Sequence, residues 1–494
     1  MRRPLFLLGI LLLSLTFSLQ AQKLRDAVTV EVVDVPVFVS RDGVPVQGLT
    51  REDFELYVNG QPQAIDYFDL VSPSQETTMH ERRLFLLVFD EAFSRPHSLV
   101  RAQKAAVQLI DRAPASDLFA VATFSSRRGI QFAMPFSSDR DAIQRAVAKL
   151  TTSKSGDPLA IMMTDQERAA VTSFSGSQGD RAESFLASMG SERIGSDFMR
   201  EMVLVQVRRR AQDQIAAFEQ LSERMASLDG QKHIVLLSEG FDGVEDTSSA
   251  VMRHAVLTEP IPLDAGFVDA TVREDLRRMD RTFQHSDVFL HTLDLEGLRA
   301  NVVSQDPLQL LATGTGGEYV HDRNDLTAAL GELSDQFAHG YRLGFHPTNV
   351  RAGHNDIRVK VRNARLADVR YRYGFNGTPQ PTKVGDGLYL ADVVLNDVPQ
   401  TGTAAALAVT NGVLRARIPM EPLAAQLGEA GTADLILYVF DANGKAIAYH
   451  VQKIQVPVNA MGESTFDFPL PTGAKVTKAL LRVDASLGFT RADL

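Results

Sequence analysis

The chain has 494 residues, 44% of them hydrophobic, with a formal net charge of -10 and no cysteine. Its length exceeds the size at which one hydrophobic core keeps growing, so we expect two or three domains. The lack of cysteine excludes disulfides, thiol nucleophiles and zinc-thiolate sites. The acidic balance, with lysine and arginine spread along the chain, argues against nucleic-acid binding.

The N-terminal stretch has the pattern of an export signal. It reads MRRPLFLLGILLLSLTFSLQAQ, with two arginines, an apolar run and Ala21 as a small residue suited to cleavage. This pattern predicts a Sec-type signal peptide over residues 1–21. An uncleaved anchor helix is the alternative, since the apolar run has the ~18 residues at which a helix can span a membrane. No second run of that length follows, so we expect an exported protein, periplasmic or extracellular, with no membrane span after cleavage.

Two flanking regions have the alternation of half-buried antiparallel strands. Residues 28–75 alternate apolar and polar side chains and contain a hairpin signal at Asn59-Gly60. Alternation returns in residues 338–376, which we expect to complete the same β-sandwich. Residues 377–387 have the composition of a linker, and residues 388–494 predict a second, C-terminal β-sandwich domain.

Residues 81–337 have a different pattern, in which apolar runs are separated by helical stretches. The runs occupy residues 84–89, 118–124, 233–238, 288–293 and 318–321. Such runs predict a mostly parallel sheet with helices on both faces, a doubly wound, Rossmann-like α/β domain. The run at 129–136 follows its predecessor so closely that it predicts an antiparallel edge strand. Residues from about 151 to 195, rich in serine, glycine and charge, predict an insertion. The predicted fold class is therefore doubly wound α/β combined with all-β sandwich domains.

Polar residues follow two of these apolar runs. Asp90 emerges from the first run and Ser94 stands four residues later, while Glu239 emerges from the run at 233–238 with Asp242 close behind. In a doubly wound sheet, ligands bind outside the carboxyl ends of the strands where the strand order reverses. We therefore expect Asp90, Ser94 and Glu239 to lie in one site.

This pairing resembles the von Willebrand factor A domain with its metal-ion-dependent adhesion site, whose pattern is Asp-x-Ser-x-Ser, then a threonine, then an aspartate. In chain order, over residues 28–375, further stretches resemble the acidobacterial family of von Willebrand factor A-related exported proteins. They are VPVFVSRDGVPVQGLTREDFELYVNGQPQAIDYF, LLSEGF, VFLHTLDLEGL, LATGTGGEYVHDRNDLTAAL and YRLGFHP. The resemblance implies an A-type domain that acts as a binding module, with no assigned reaction.

Carried over residue by residue, the resemblance implies a degenerate metal site. Asp90 matches the first aspartate and Ser94 the second serine, whereas Ala92 stands where the first serine is usual. The stretch SGDPLA places Asp157 at the threonine position, and Glu239 replaces the last aspartate. Mg²⁺ or Ca²⁺ would be the ion, because both prefer oxygen ligands. Three carboxylates would leave it a structural ion rather than one presented to an acidic partner residue.

A second interpretation of these residues needs no metal. Ser94 lies just before Pro96 and could be the N-cap of the following helix. Asp90 and Glu239 could each satisfy loop N–H groups. The sequence leaves the metal site and the scaffold interpretation open.

Three functions compete. We favour an exported interaction or adhesion module that binds a protein or cell-envelope partner through the strand-end face. The alternative is a structural envelope component that assembles through sandwich edges. An exported hydrolase is the third, with Ser238 as nucleophile and His233, His254, His285 or His291 as its base. The sequence contains no nucleophile-elbow or zinc-protease motif, so we expect no enzymatic activity. It does not indicate the oligomeric state.

Overall fold

The computed structural model describes residues 32–71, 79, 81–150, 194–240, 270–298, 307–348, 350–362, 367–378 and 384–494. The predicted signal peptide, almost all of the predicted insertion, Asp157, Asp242 and His254 lie outside these residues. Within the described ranges, no helix is long and apolar enough to cross a membrane.

The strands, in chain order, are β1 (Val33–Arg41), β2 (Val44–Pro45), β3 (Phe54–Val58), β4 (Gln61–Gln63), β5 (Tyr67–Val71), β6 (Arg83–Asp90), β7 (Leu118–Ser125), β8 (Gly129–Ser137), β9 (Gln231–Ser238), β10 (Val288–Asp294), β11 (Tyr319–Val320), β12 (Gly340–Phe345), β13 (His354–Val361), β14 (Asp368–Tyr371), β15 (Gly374–Asn376), β16 (Ala406–Thr410), β17 (Val413–Pro419), β18 (Gly431–Phe440), β19 (Ala446–Val456), β20 (Glu463–Pro469), β21 (Val476–Val483) and β22 (Ser486–Asp493). The α-helices are α1 (Pro96–Arg112), α2 (Arg140–Lys149), α3 (Ile194–Met225), α4 (Ala270–Ser286), α5 (Pro307–Thr313), α6 (Leu326–Gln336), α7 (Gly387–Asn396) and α8 (Met420–Leu427).

The strands on either side of the α/β region pair with one another. One sheet has the order β14-β1-β12-β5, with β2 beside β1, and the facing sheet has the order β15-β13-β3-β4. All pairs are antiparallel. A shared apolar core lies between the two sheets, as the alternation of β3 and β13 requires. The chain therefore forms a β-sandwich around the point at which the α/β region is inserted.

The α/β region is built on a six-stranded sheet of order β11-β10-β9-β6-β7-β8. Its strands are parallel except β8, which pairs antiparallel with β7 at the edge of the sheet. The predicted antiparallel edge strand is thus confirmed. Every residue of β6 and β9 is buried, which explains why these strands read as continuous apolar runs.

Helices cover both faces of this sheet. Helices α1, α2 and α6 pack on one face, together with Phe85, Leu87 and Phe89 of β6. The other face, with Leu84, Leu86 and Val88, packs against α3, α4, α5 and α7. The strand order reverses between β6 and β9, because the chain first builds outward to β8 and then returns to the other side of β6. The carboxyl ends of β6 and β9 therefore border the position at which such sheets bind ligands.

A second β-sandwich forms the C-terminal region. Its sheets have the orders β16-β17-β20 and β19-β18-β21-β22, with an apolar core between them. Helix α7 begins at the end of the segment whose composition predicts a linker rather than a helix. Asp386 caps it by accepting a hydrogen bond from the Leu388 N–H at 2.7 Å. The helix forms because it buries apolar side chains against the α/β region.

Candidate functional site

The carboxyl ends of β6 and β9 bring together most of the residues that the sequence singles out. The two strands are parallel neighbours, with Asp90 the last residue of β6 and Ser238 the last of β9. Glu239 follows at once, and Gly240 turns the chain with a φ of 78°, which favours glycine. We call the set Asp90, Ser94, Arg95, Ser98, Gln214, Ser238, Glu239 and Glu296 the strand-end site.

Asp90 is fully buried and accepts four hydrogen bonds. Its Oδ1 accepts from the backbone N–H groups of Ala92 at 2.9 Å and Phe93 at 3.1 Å. Its Oδ2 accepts from the Ser238 hydroxyl at 2.7 Å and the Gln214 amide at 2.9 Å. Burial raises the pKa of Asp90 to about 6, although these four donors each lower it. The carboxylate therefore organises the loop after β6.

The two serines of the site also have defined partners. Ser94 Oγ accepts from the Glu239 N–H at 3.2 Å, so it joins the loop after β6 to the end of β9. Ser238 Oγ, besides donating to Asp90, accepts from the Gly240 N–H at 3.0 Å. Helix α1 begins at Pro96 with Arg95 as its N-cap residue. The prediction that Ser94 caps this helix is therefore wrong, because its hydroxyl points to the neighbouring strand.

Glu239 is neutralised by a cation of the protein itself. Its carboxylate accepts from the Arg95 backbone N–H at 2.8 Å and from the Arg95 Nε at 3.0 Å. The Ser98 hydroxyl donates to the other carboxylate oxygen at 2.5 Å. Burial alone would raise the pKa of Glu239, but the donors Ser98 and Arg95 outweigh it and hold the pKa below its ordinary value. Glu239 is therefore ionised at neutral pH, as the partner of Arg95.

The Arg95 guanidinium bridges two acids. Besides Glu239, its Nη2 donates to Glu296 at 3.0 Å. Glu296 lies after β10, so three adjacent strand ends, those of β6, β9 and β10, are linked through one cation. The Arg95 side chain is 35% exposed whereas that of Glu239 is fully buried. The arginine thus forms the solvent-facing surface of the site.

The described residues of the site fit a divalent cation poorly in this arrangement. Both oxygens of Asp90 and both of Glu239 accept hydrogen bonds from protein donors, and the Ser94 oxygen accepts one from a backbone N–H. A cation would have to displace Arg95 or these donors. Among the described residues, no cluster of three histidine, aspartate or glutamate side chains is arranged to hold a metal. The four-ligand set Asp90, Ser94, Asp157 and Glu239 stays a prediction, because Asp157 lies outside the described residues.

Sequence reasoning missed Arg95, Ser98, Gln214 and Glu296. Arg95 and Ser98 had a signal, since both follow Ser94 within one helical turn. Gln214 had a different sequence signal, because it shares the buried face of α3 with Ala211, Ile215 and Phe218. A polar residue on such a face needs a buried partner, and here the partner is Asp90.

The histidines considered as general bases have other partners. His233 and His291 lie side by side inside the sheet, with Nδ1 of His233 3.0 Å from Nε2 of His291. His285 pairs with His354 at 3.0 Å, between α4 and the first sandwich. His254 lies outside the described residues. The Ser238 hydroxyl donates to Asp90, so within the described residues Ser238 does not form the Ser-His pair that a hydrolase uses.

Comparisons with known proteins show only distant similarity. No family model and no curated protein matches this chain. Among solved structures, the conserved hypothetical protein BatB from Bacteroides thetaiotaomicron matches with 12% identity and a TM-score of 0.23, covering 51% of this chain and 98% of BatB. The three N-terminal domains of the type V pili tip protein Mfa5 from Porphyromonas gingivalis match with 10% identity and a TM-score of 0.25. The match covers 94% of this chain and 77% of the Mfa5 chain. The pilus adhesin SpaC from Lactobacillus rhamnosus GG matches with 9% identity and a TM-score of 0.22. The match covers 92% of this chain and 61% of the SpaC chain.

Proposed function

We propose that this chain is an exported interaction module, in which a von Willebrand factor A-type domain binds a protein or cell-envelope partner through its strand-end face. One observation carries the proposal. Asp90, Ser94 and Glu239 lie together where the strand order of the sheet reverses, at the ends of β6 and β9. That is the position at which sheets of this kind bind ligands.

The composition of this face supports binding rather than catalysis. Its charged groups, Arg95, Glu239 and Glu296, are paired with one another, and Ser238 is held by Asp90. Glu91, just after β6, is 32% exposed and lies 3.9 Å from Arg128. Arg95, Glu296 and Glu91 are partly exposed, and charges of this kind suit recognition of a polar partner surface because they give orientation and specificity.

The two β-sandwiches would act as spacer and second contact. Loops on a rigid scaffold commonly carry binding residues, and the predicted insertion at about residues 151–195 would supply further contacts of this kind.

A charge reversal on the face tests this proposal. Residues 22–494 are immobilised and exposed to a solubilised envelope fraction of the producing cells, in parallel with Glu91→Lys and with Asp335→Lys as the matched control. Asp335 is exposed and lies at the end of α6, near Arg83 at the start of β6, hence at the opposite edge of the sheet. Loss of a captured partner with Glu91→Lys alone supports the strand-end face. Equal capture by both variants contradicts it.

One observation favours the alternative of assembly through sandwich edges. Strand β19 is an edge strand of 11 residues, and its outer face exposes Tyr449 by 51% and Val451 by 49%. A long edge with apolar side chains is a template for pairing with another strand. Sedimentation velocity of residues 22–494 over a wide concentration range tests this. Assembly that Val451→Lys abolishes, and Met461→Lys in the following turn does not, would support it; a strictly monomeric chain would remove it.

A further inference from the structure

A cleft separates the α/β region from the C-terminal sandwich. One wall is formed by β8 and α2, the other by the turn between β18 and β19 and by the start of β21. Its volume is about 960 Å³. None of its lining residues belongs to the strand-end site, so it is a separate feature of the molecule.

The walls of the cleft are fixed to each other. Lys478 of β21 donates to the Val394 carbonyl of α7 at 2.6 Å and pairs with Asp397 at 2.7 Å. The Asn396 amide donates to the Phe136 carbonyl of β8 at 3.0 Å. Helix α7 thus ties both walls together, and the cleft is a preformed groove.

Basic side chains dominate the cleft although the chain as a whole is acidic. Six basic and two acidic side chains line it, against a net charge of -10 for the chain. Five of the basic ones are exposed and lie on both walls: Arg145, Lys149, Lys445, Lys475 and Arg491.

Four charged side chains of the cleft have structural roles. Lys478 and Arg491 both pair with Asp397. Asp139 caps α2 through the Ala142 N–H, and Asp441 accepts the N–H groups of Asn443 and Lys445. The exposed cations on the two walls therefore set the potential of the groove, and an anion between them would relieve their mutual repulsion.

The floor of the cleft is apolar. Met134 and Leu395 contribute to it from the α/β side, and Val476 from the C-terminal side. Phe440 is the aromatic residue among the lining side chains and is only 4% exposed, so the groove offers no aromatic platform on which a sugar ring could stack. An apolar floor between basic walls fits a peptide better than an acidic polysaccharide.

We propose that this cleft binds an acidic peptide segment of a partner protein. Its carboxylates pair with Arg145 on one wall and with Lys445 and Lys475 on the other, and its apolar side chains pack on the floor. The proposal does not depend on the strand-end site, so the two can fail separately.

Fluorescence anisotropy of a labelled peptide tests the proposal with residues 22–494. The probe is a peptide of about ten residues that alternates glutamate and leucine, a length suited to an extended segment in a groove. The comparison peptide alternates glutamine and leucine. We expect the acidic peptide to bind, the neutral peptide to bind at least about tenfold more weakly, and added salt to weaken the acidic complex.

Charge-reversal variants locate the binding. The double variant Arg145→Glu and Lys475→Glu should weaken binding of the acidic peptide at least about tenfold, since both walls lose a cation. Lys104→Glu, at an exposed position of α1, is the matched control and should bind like the parent chain. Circular dichroism melting checks that all variants fold. Equal affinity for both peptides, unchanged binding by the double variant, or binding of polygalacturonate without binding of the acidic peptide would each overturn the proposal.

Discussion

Arg95 and Glu239 form a two-point contact across the end of the central sheet, with the backbone N–H of Arg95 2.8 Å and its Nε 3.0 Å from the same carboxylate oxygen. In the A-type site that the sequence resembles, a metal ion would neutralise the acid after this strand. Here the arginine provides that positive charge. The first prediction concerns Arg95 in the place of a metal ion.

We expect neither Mg²⁺ nor Ca²⁺ to raise the melting midpoint of residues 22–494. In the variant Arg95→Ala, we expect either ion to raise the melting midpoint. Removing the guanidinium leaves the buried Glu239 carboxylate without its counter-charge, which a divalent cation can then supply. The variant should lose roughly 1 to 3 kcal/mol without metal, a range discounted for the partial exposure of Arg95. At a hundredfold excess over the dissociation constant, an added ion should restore about 2.7 kcal/mol.

Arg128→Ala is the control for this experiment. Arg128 lies 3.9 Å from Glu91, so the melting midpoint of this variant should rise with neither ion. A midpoint of the parent chain that rises with Mg²⁺ or Ca²⁺, and no longer rises in Asp90→Ala, would contradict the prediction. The ion would then displace Arg95, and the predicted set Asp90, Ser94, Asp157 and Glu239 would gain support.

A second prediction concerns the buried pair His233 and His291. The Glu318 N–H donates to Nδ1 of His291, so His291 carries its proton on Nε2 and donates to His233. Burial lowers the pKa of His291 to about 3 and that of His233 well below its usual value. The unfolded chain therefore binds protons below about pH 6.5 that the folded chain does not. The free energy of unfolding should fall with acidification by about 1.4 kcal/mol per pH unit for each histidine.

His233→Asn tests the contribution of one member of the pair. The asparagine oxygen can accept the His291 hydrogen bond but does not titrate. Urea unfolding between pH 6.5 and 4.5 should therefore show a slope reduced by about 1.4 kcal/mol per pH unit. An unchanged slope would mean that the loss of stability in acid comes from other groups.

The third prediction concerns Asp280 of α4, whose Oδ1 is buried and has no hydrogen-bond partner among the described residues. Burial raises its pKa to about 7. Because the folded pKa lies above the unfolded one, the penalty is absent below about pH 4, grows between about pH 4 and pH 7, and is complete above about pH 7. Asp280→Asn should therefore raise the free energy of unfolding at pH 8 by about 1 to 3 kcal/mol and raise it clearly less at pH 5.

Asp335→Asn, at an exposed position of α6, is the control and should leave the stability unchanged at both pH values. Denaturant unfolding measures the difference. A stabilisation of equal size at pH 5 would show that the introduced amide improves local packing rather than removing a buried charge.

The fourth prediction concerns the buried ion pair Arg82–Asp392, which joins the first residues of the central sheet to α7. Its two hydrogen bonds measure 3.1 Å and 2.5 Å. Asp392→Ala leaves the guanidinium buried without its acid and should cost about 3 to 5 kcal/mol. We also expect urea unfolding to separate into two transitions, because the C-terminal sandwich loses a principal link to the α/β region.

The double variant Arg82→Met and Asp392→Leu is the control for the fourth prediction. It replaces both charges by apolar groups of similar volume, which is often neutral. It should unfold like the parent chain. A double variant as unstable as Asp392→Ala would show that packing of α7, rather than the unpaired charge, accounts for the loss.

Much of the central sheet could be predicted from the sequence because its strands are buried on both faces. The runs at 84–89 and 233–238 became β6 and β9, and the short connection before residue 129 indicated the antiparallel edge strand β8. Asp90 and Glu239 could be placed in one site because each directly follows such a run. These conclusions need only local pattern and the rule that parallel strands end at the same edge.

Helix α7 shows where local pattern is insufficient. Its sequence, GLYLADVVLN, is apolar and partly β-branched, which suits a strand as well as a helix. The helix is favoured because its buried face meets β8 and its Asp392 meets Arg82, residues that are distant in the chain.

Local pattern is enough to predict the alternation of α/β and β regions and to place two acids at the strand ends. The partners of those acids depend on how distant segments pack in the folded chain. Arg95 and Glu239 are separated by 144 positions, and Asp90 and Gln214 by 124. Periodicity reports which face of an element is buried, but not which side chain of another element lies opposite. A buried carboxylate takes as its partner whichever donor or cation the packing brings within hydrogen-bond distance.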